Sequence, residues 1–231
     1  MLKGLKYNLE MTFRSLTFYV GTVVIIIIIT FVLFQMFGNR ELSQLLKSNI
    51  YIQRMFLMIS LSIVVIGIYF ALQDTLLLEK SSGRLELLLS NGFRAQRYWF
   101  SSTIAAWIVA EIILIFVFLD FCIFRVFFFP NVPMFGLIKS FLYLSFVNIG
   151  VSSFLCALVL KIRRIDIVRV LLFLSFYLIS FGGNYLIGKV PPDRGSMLVL
   201  GVLGIGVVLF ILGILIGRKL DSETIVLTIP G

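Results

Sequence analysis

Between Arg14 and Arg40 the chain has no charged side chain, and five consecutive isoleucines, Ile25–Ile29, occupy the middle of this run. A predominantly apolar stretch of about 17–25 residues is the length at which a helix crosses a bilayer core. In hydrocarbon a single segment can satisfy its own backbone donors and acceptors only as a helix. This run, 17–37, has five counterparts, at approximately 55–73, 99–121, 136–160, 167–187 and 197–217. With 60% of residues apolar, 13% charged and a mean hydropathy of +1.10, the chain lies far from the half-apolar, quarter-charged make-up of soluble domains. The fold class expected is an all-α integral membrane protein with six transmembrane helices. The fourth stretch is the most polar, with Ser140, Ser145, Asn148, Ser152 and Ser153, small groups suited to packing between helices.

The segments between the spans set the topology. Residues 1–16 place Leu2, Leu5, Leu9, Phe13 and Leu16 three or four apart, with Lys3, Lys6, Glu10 and Arg14 between them. That pattern predicts an amphipathic helix lying in the headgroup layer; a plain charged leader to the first span is the alternative. The first apolar run is too long for the core of a cleaved signal peptide and no small-residue cleavage site follows it. In a six-span model, one side of the membrane receives Arg40, Lys47, Arg54, Arg125, Lys139, Lys189 and Arg194, and the other receives the remaining 13 of the 20 basic residues. The more basic side is cytoplasmic, so both termini and the segment 74–98 are assigned there. The external loops, about 38–53, 122–135 and 188–196, are short and carry Pro130, Pro133, Pro191 and Pro192. The six-helix domain spans 17–217, and 218–231 forms a short cytoplasmic tail. The basic loop Lys161–Arg169 is read as a topology signal and anionic-lipid contact or as a docking site. Gly182-Gly183-Asn184 is read as a break in the fifth span or as close packing.

Segment 74–98 interrupts the apolar pattern most sharply. It holds Asp74, Glu79, Lys80, Arg84, Glu86, Arg94 and Arg97, and charges at mid-bilayer cost about 2.5–3.5 kcal/mol each on insertion scales, so it belongs at a membrane face. Ser82 or Gly83 can start a helix, Glu86 suits its first turn, Leu85, Leu88 and Leu89 recur at helical spacing, and Asn91-Gly92 can end it. A short helix joining spans two and three is a handle through which an external protein can move both. Glu79, Lys80, Arg84 and Glu86 offer charged contacts, while Leu85, Leu88 and Leu89 offer an apolar face for a groove.

Enzymatic chemistry is hard to assemble from these residues. Histidine is absent, which removes the usual neutral-pH base and the commonest metal ligand. Cys122 and Cys156 sit inside apolar runs and read as small buried hydrophobes. No phosphate-binding loop is present: the sequence Gly213–Lys219 has the wrong spacing and ends a span. Gly213 and Gly217 read as a small-residue packing face. Glu111 falls near mid-membrane in the third span and Asp120 further out, near Arg125. An ionisable group at such depth is a functional candidate, so Glu111 is either a point on a substrate path or a link to a neighbouring helix, and Asp120 pairs with Arg125 or lines the same path. Their separation on one helix, about 13.5 Å, is too great for a shared-proton catalytic dyad. The chain is therefore not read as an enzyme, and no metal or cofactor is expected in it.

The run Glu79-Lys80-Ser81-Ser82-Gly83-Arg84-Leu85-Glu86-Leu87-Leu88-Leu89-Ser90 resembles the E-K-x-x-G-(T/R)-L-E-x-L-L signature that follows the second span in ABC transporter permeases of the second exporter type. The interfacial N-terminal helix, six spans and cytoplasmic ends are similar to the same family. The resemblance implies a cell-membrane permease subunit of an ATP-driven exporter, a homodimer or heterodimer that binds two ATPase subunits carrying ATP and magnesium. It implies that the matching segment, with Glu79, Lys80, Gly83, Arg84, Leu85, Glu86, Leu88 and Leu89, is the coupling helix, and that residues 1–16 are the elbow helix. Asn91-Gly92-Phe93 stands where many members have proline, and residues 188–196 are too few for the external helices of larger members. The resemblance leaves the substrate class open; a phenylalanine-rich chain with few fixed charges in its spans fits a hydrophobic or amphipathic cargo, a drug, peptide or lipid-like molecule. A haem-exporter permease of cytochrome biogenesis is an alternative of similar size. A non-transporting membrane anchor, scaffold or immunity protein is the alternative of another class. No nucleic-acid partner is expected.

Overall fold

The computed structural model describes residues 2–38, 49–128, 134–162 and 195–221, with isolated positions at 166–167, 170, 173–174, 177 and 225. Among these residues the secondary structure is helical throughout, with no strand. Helix α1 covers Leu2–Arg14 and α2 covers Leu16–Gly38. Helix α3 runs Asn49–Leu72, widens into a π-helical turn over Gln73–Leu77 and resumes as Leu78–Ser81. Helix α4 is Arg84–Ser90, α5 is Ala95–Phe128, α6 is Phe135–Lys161 and α7 is Gly195–Arg218.

Five of these helices are long and apolar enough to cross a membrane, over Phe18–Gln35, Ile52–Ser81, Ala95–Phe128, Phe135–Lys161 and Leu200–Arg218. The chain is thus an all-helical, multi-pass membrane protein. Five of the six expected spans coincide with these helices; the expected fifth span, 167–187, with Gly182–Asn184, falls largely outside the described residues. The expected outer loops lie partly or wholly outside them too. Two helices exceed their expected bounds. Helix α3 continues to Ser81, so Asp74, Glu79 and Lys80 belong to the helical rod instead of a connecting segment. Helix α5 starts at Ala95 and ends at Phe128, beyond the expected 99–121. In α3, Glu79 and Lys80 are tolerated because Tyr98 and the end of α6 engage them; in α5, Thr30 engages Asp120, while Arg97 is exposed.

The core lies among α3, α5 and α6. Phe56, Leu57, Val64, Ile68 and Leu72 of α3 pack with Val109, Ile113, Leu114 and Val117 of α5 and with Leu144 and Val147 of α6. At the end away from α4, Phe56 meets Phe121 edge-on at 5.1 Å, and Phe118 meets Phe141 at 4.9 Å, within the range favoured for aromatic pairs. Helices α2 and α7 flank this core. They expose apolar rows, including Val24, Ile27, Ile28 and Phe31 on α2 and Ile205, Val208 and Leu215 on α7.

The pairing of α7 with α6 rests on missing side chains. A Cβ on Gly206 would lie 2.9 Å from the Cα of Val147, and one on Gly213 would lie 2.7 Å from the carbonyl carbon of Ser153. A Cβ on Gly150 would strike the Gly206 carbonyl oxygen, and one on Gly217 would sit 2.6 Å from the Trp99 ring. Backbones approach this closely only where small residues line the contact. The packing role expected of Gly213 and Gly217 is therefore seen, against α6 for the first and α5 for the second.

Helix α1 packs differently from its sequence pattern. Its most buried side chains are Asn8 and Thr12, while Leu16, beyond its end, is 76% exposed. Gly4, Asn8 and Thr12 form one stripe at helical spacing. A Cβ on Gly4 would lie 3.2 Å from the Ser101 hydroxyl, and the Asn8 amide donates to the Ser102 hydroxyl at 3.1 Å. Small polar groups let α1 lie tight against the start of α5, and Leu5, Leu9 and Phe13 are left on the flank. The expected greasy face is thus a side face, and the contact face is polar.

Candidate functional site

The polar residues of the chain converge where α3 ends, α4 turns and α5 begins. Gly83 makes the first turn possible: its φ of 70° is left-handed, a conformation costly for any residue with a Cβ. Helix α4 then runs seven residues and stops in a Schellman motif. The Gly92 N–H donates to the Leu89 carbonyl, and the Phe93 N–H to the Leu88 carbonyl, both at 3.1 Å. Gly92 supplies the required left-handed residue at φ 83°. The sequence signals for the start and stop of this helix are both realised.

The faces of α4 are distributed as follows. Leu85 and Leu89 are buried against the helical core, and Leu88 is half-buried. Arg84, Glu86, Leu87 and Ser90 point outward, with Leu87 64% exposed. The expectation that Leu85 and Leu89 offer an apolar face for a partner is corrected: they seat α4 on its own bundle. Leu87 is the outward leucine. Its position was legible, since a residue two after Leu85 and two before Leu89 must lie on the opposite side of a helix.

Glu79 and Lys80 are corrected in the same sense, being 1% and 0% exposed. Lys80 reaches across to the end of α6, where its Nζ donates to the carbonyls of Val159 at 2.9 Å, Leu160 at 3.4 Å and Ile162 at 2.6 Å. The last carbonyls of a helix have no partner within it, and a lysine presents three donors. Lys80 therefore caps α6, where positive charge also suits the helix dipole. Glu79 accepts a hydrogen bond from the Tyr98 hydroxyl of α5. Two further bonds tie α5 to its neighbours here: the Gln96 amide donates to the Arg218 carbonyl at the end of α7 at 2.9 Å, and the Trp99 indole donates to the Ser153 carbonyl of α6 at 3.2 Å. Lys80, Gln96, Tyr98 and Trp99 thus link α3 to α5 and α6, and α5 to α6 and α7. Their sequence separations, 19 to 122 residues, left no local signal to find them by.

A cavity of about 400 Å³ opens between α1 and α4. Asn8, Glu79 and Tyr98 line it, with Tyr7, Arg84 and Phe93 toward its mouth. The Tyr7 phenol has its pKa raised, first by burial and then by the Glu79 carboxylate, and Arg84 acts on it in the opposite direction.

The two intramembrane acids are each held by another helix. Glu111 accepts from the Ser145 hydroxyl on one oxygen and from the Asn148 amide at 2.9 Å on the other, and the Ser152 hydroxyl donates to Asn148 at 3.4 Å. Glu111 therefore joins α5 to α6, the interhelical role open to it from sequence. Asp120 accepts from the Thr30 hydroxyl of α2 at 3.3 Å, so it ties α5 to α2. Cys122 and Cys156 are buried free thiols. Among the described residues, no three His, Cys, Asp or Glu side chains converge to hold a metal ion.

Comparison with protein-family models, curated proteins and solved structures finds no match for this chain.

Proposed function

We propose that this chain is the membrane-spanning subunit of an ATP-driven ABC exporter, located in the cell membrane with both termini in the cytoplasm. It pairs with a second permease subunit and couples to separate ATPase subunits to move a hydrophobic or amphipathic cargo outward. The observation that carries this reading is the mounting of α4: a short helix with an outward Arg84, Glu86 and Leu87, seated on the core by buried Leu85 and Leu89 and joined by the chain to α3 and α5. Force applied to such a helix reaches α3 and α5 through the chain itself. It reaches α6 through Lys80 and α7 through Gln96. Loads on an element held this way move several spans together, which is what coupling to an external motor requires.

The reading divides the resembling segment into two working parts. Arg84, Glu86 and Leu87 form the contact with the ATPase. Glu79, Lys80, Leu85 and Leu89 transmit the load inward, and Gly83 permits the turn between them. Glu111 and Asp120 hold helices together near the translocation path. ATP and magnesium reside on the partner, where closure of two ATPase subunits draws the two α4 helices together.

The test is affinity purification of the tagged chain from its native host. The expected outcome is co-purification of a nucleotide-hydrolysing subunit, with Glu86→Lys leaving insertion intact while reducing that association or cargo-stimulated hydrolysis at least several-fold. Recovery of the chain with no such subunit under conditions that preserve membrane complexes contradicts the proposal.

A further inference from the structure

The cavity between α1 and α4 contains an unmet chemical demand. Glu79 is 1% exposed and Asn8 is 0% exposed, and each lines this cavity. The Tyr98 hydroxyl occupies Oε2 of Glu79, but Oε1 accepts no hydrogen bond, and neither does Oδ1 of Asn8. The Tyr7 phenol interacts with the Glu79 carboxylate as well, and Arg84 acts on it electrostatically, yet Oε1 itself has no donor in hydrogen-bond geometry. Buried acceptors in native structures have donors, so the floor of this cavity calls for a group rich in N–H. A primary ammonium supplies three donors and a positive charge opposite a carboxylate. A quaternary ammonium supplies charge but no donor.

The rim adds a second requirement. Arg84 lines the same cavity and is exposed, and its guanidinium suits a phosphate. Leu87, Leu88 and Phe93 complete an apolar wall. Helix α1 is an amphipathic helix whose Leu5, Leu9 and Phe13 flank is half-buried, the character of a segment at the headgroup level of a bilayer. We propose that this cavity binds the headgroup of a phosphoethanolamine-type lipid, with the primary ammonium on Glu79 and Asn8 and the phosphate at Arg84. The inference rests on the cavity alone; it turns Arg84 to the lipid phosphate and leaves Glu86 and Leu87 to meet an ATPase docked on α4.

The full-length protein is reconstituted in nanodiscs containing dioleoyl phosphatidylcholine and dioleoyl phosphatidylethanolamine in equal amounts, then released and examined by native mass spectrometry. Phosphatidylethanolamine is expected to be retained about tenfold over phosphatidylcholine, in line with a charge-assisted hydrogen bond gained by one headgroup only. Glu79→Gln, which still accepts from Tyr98, is expected to abolish the preference. Arg84→Gln alters an exposed side chain and is expected to lower phosphatidylethanolamine retention several-fold. Soluble O-phosphoethanolamine provides the second arm. If it raises the melting temperature of wild type but not of Glu79→Gln, the site takes the same chemistry from solution; if only the lipid is retained, the membrane is the source. Equal retention of both lipids by wild type with no shift from O-phosphoethanolamine overturns the proposal. So does a preference unaltered by both substitutions.

Discussion

At the scale of single residues, Lys80 shows how a charge is placed inside a membrane protein at tolerable cost. Its ammonium meets three carbonyls at the end of α6, where a helix has carbonyls without intrahelical donors. Lys80→Met keeps the apolar stem but removes the donor to the Val159 and Ile162 carbonyls, and a buried unsatisfied polar group costs about 1–3 kcal/mol. Thermal scanning in detergent should show a lower melting temperature for Lys80→Met, and Lys80→Arg should not restore it, because a planar guanidinium cannot reproduce the compact three-donor geometry. Glu111 gives a second residue-scale expectation. Hydrogen bonds between transmembrane helices average about 0.6 kcal/mol and reach about 1.7. A double-mutant cycle over Glu111→Leu and Asn148→Leu should return a coupling energy in that range, since the two side chains bond directly at 2.9 Å. Additive effects would remove Glu111 from its role as a link between α5 and α6.

At the scale of elements, the legible parts were those governed by local chemistry. Apolar run length located five of the spanning helices, and Gly83 and Asn91-Gly92 marked both ends of α4. What escaped were features set by distant partners. The extension of α3 through Glu79 and Lys80 depends on Tyr98 and the end of α6, and the insertion of α1 through Asn8 depends on Ser102. A polar residue in an apolar pattern carries no sign of whether it faces water or a partner 94 residues away. Two glycines now separate backbone from packing effects. Gly83→Ala meets open space but forces a left-handed alanine, so it should destabilise by about 1–2 kcal/mol, with Gly83→Asn milder. Gly213→Val places carbon against the backbone of Ser153 and Phe154. It should part α7 from α6, read out as a larger fall in melting temperature and faster proteolysis than Gly83→Ala. A smaller effect for Gly213→Val would contradict the close packing of these two helices.

At the scale of the whole molecule, the bundle is tied at one end by polar bonds and packed at the other by aromatic rings. The tied end carries α4 and the cavity beside α1; the packed end holds Phe56, Phe118, Phe121 and Phe141. A load entering at the tied end passes to α3 and α5 through the chain and to α6 and α7 through Lys80 and Gln96, and further along Glu111 and Asp120 still link α5 to α6 and α2. This asymmetry gives the proposed coupling a direction through the molecule, and it makes the side of the membrane on which α4 lies the decisive fact. The native thiols are buried, so a cysteine at Glu86, an exposed position, can be labelled selectively. Membrane-impermeant maleimide should modify Glu86→Cys in inverted vesicles and spare it in intact cells; modification from outside intact cells would contradict the account.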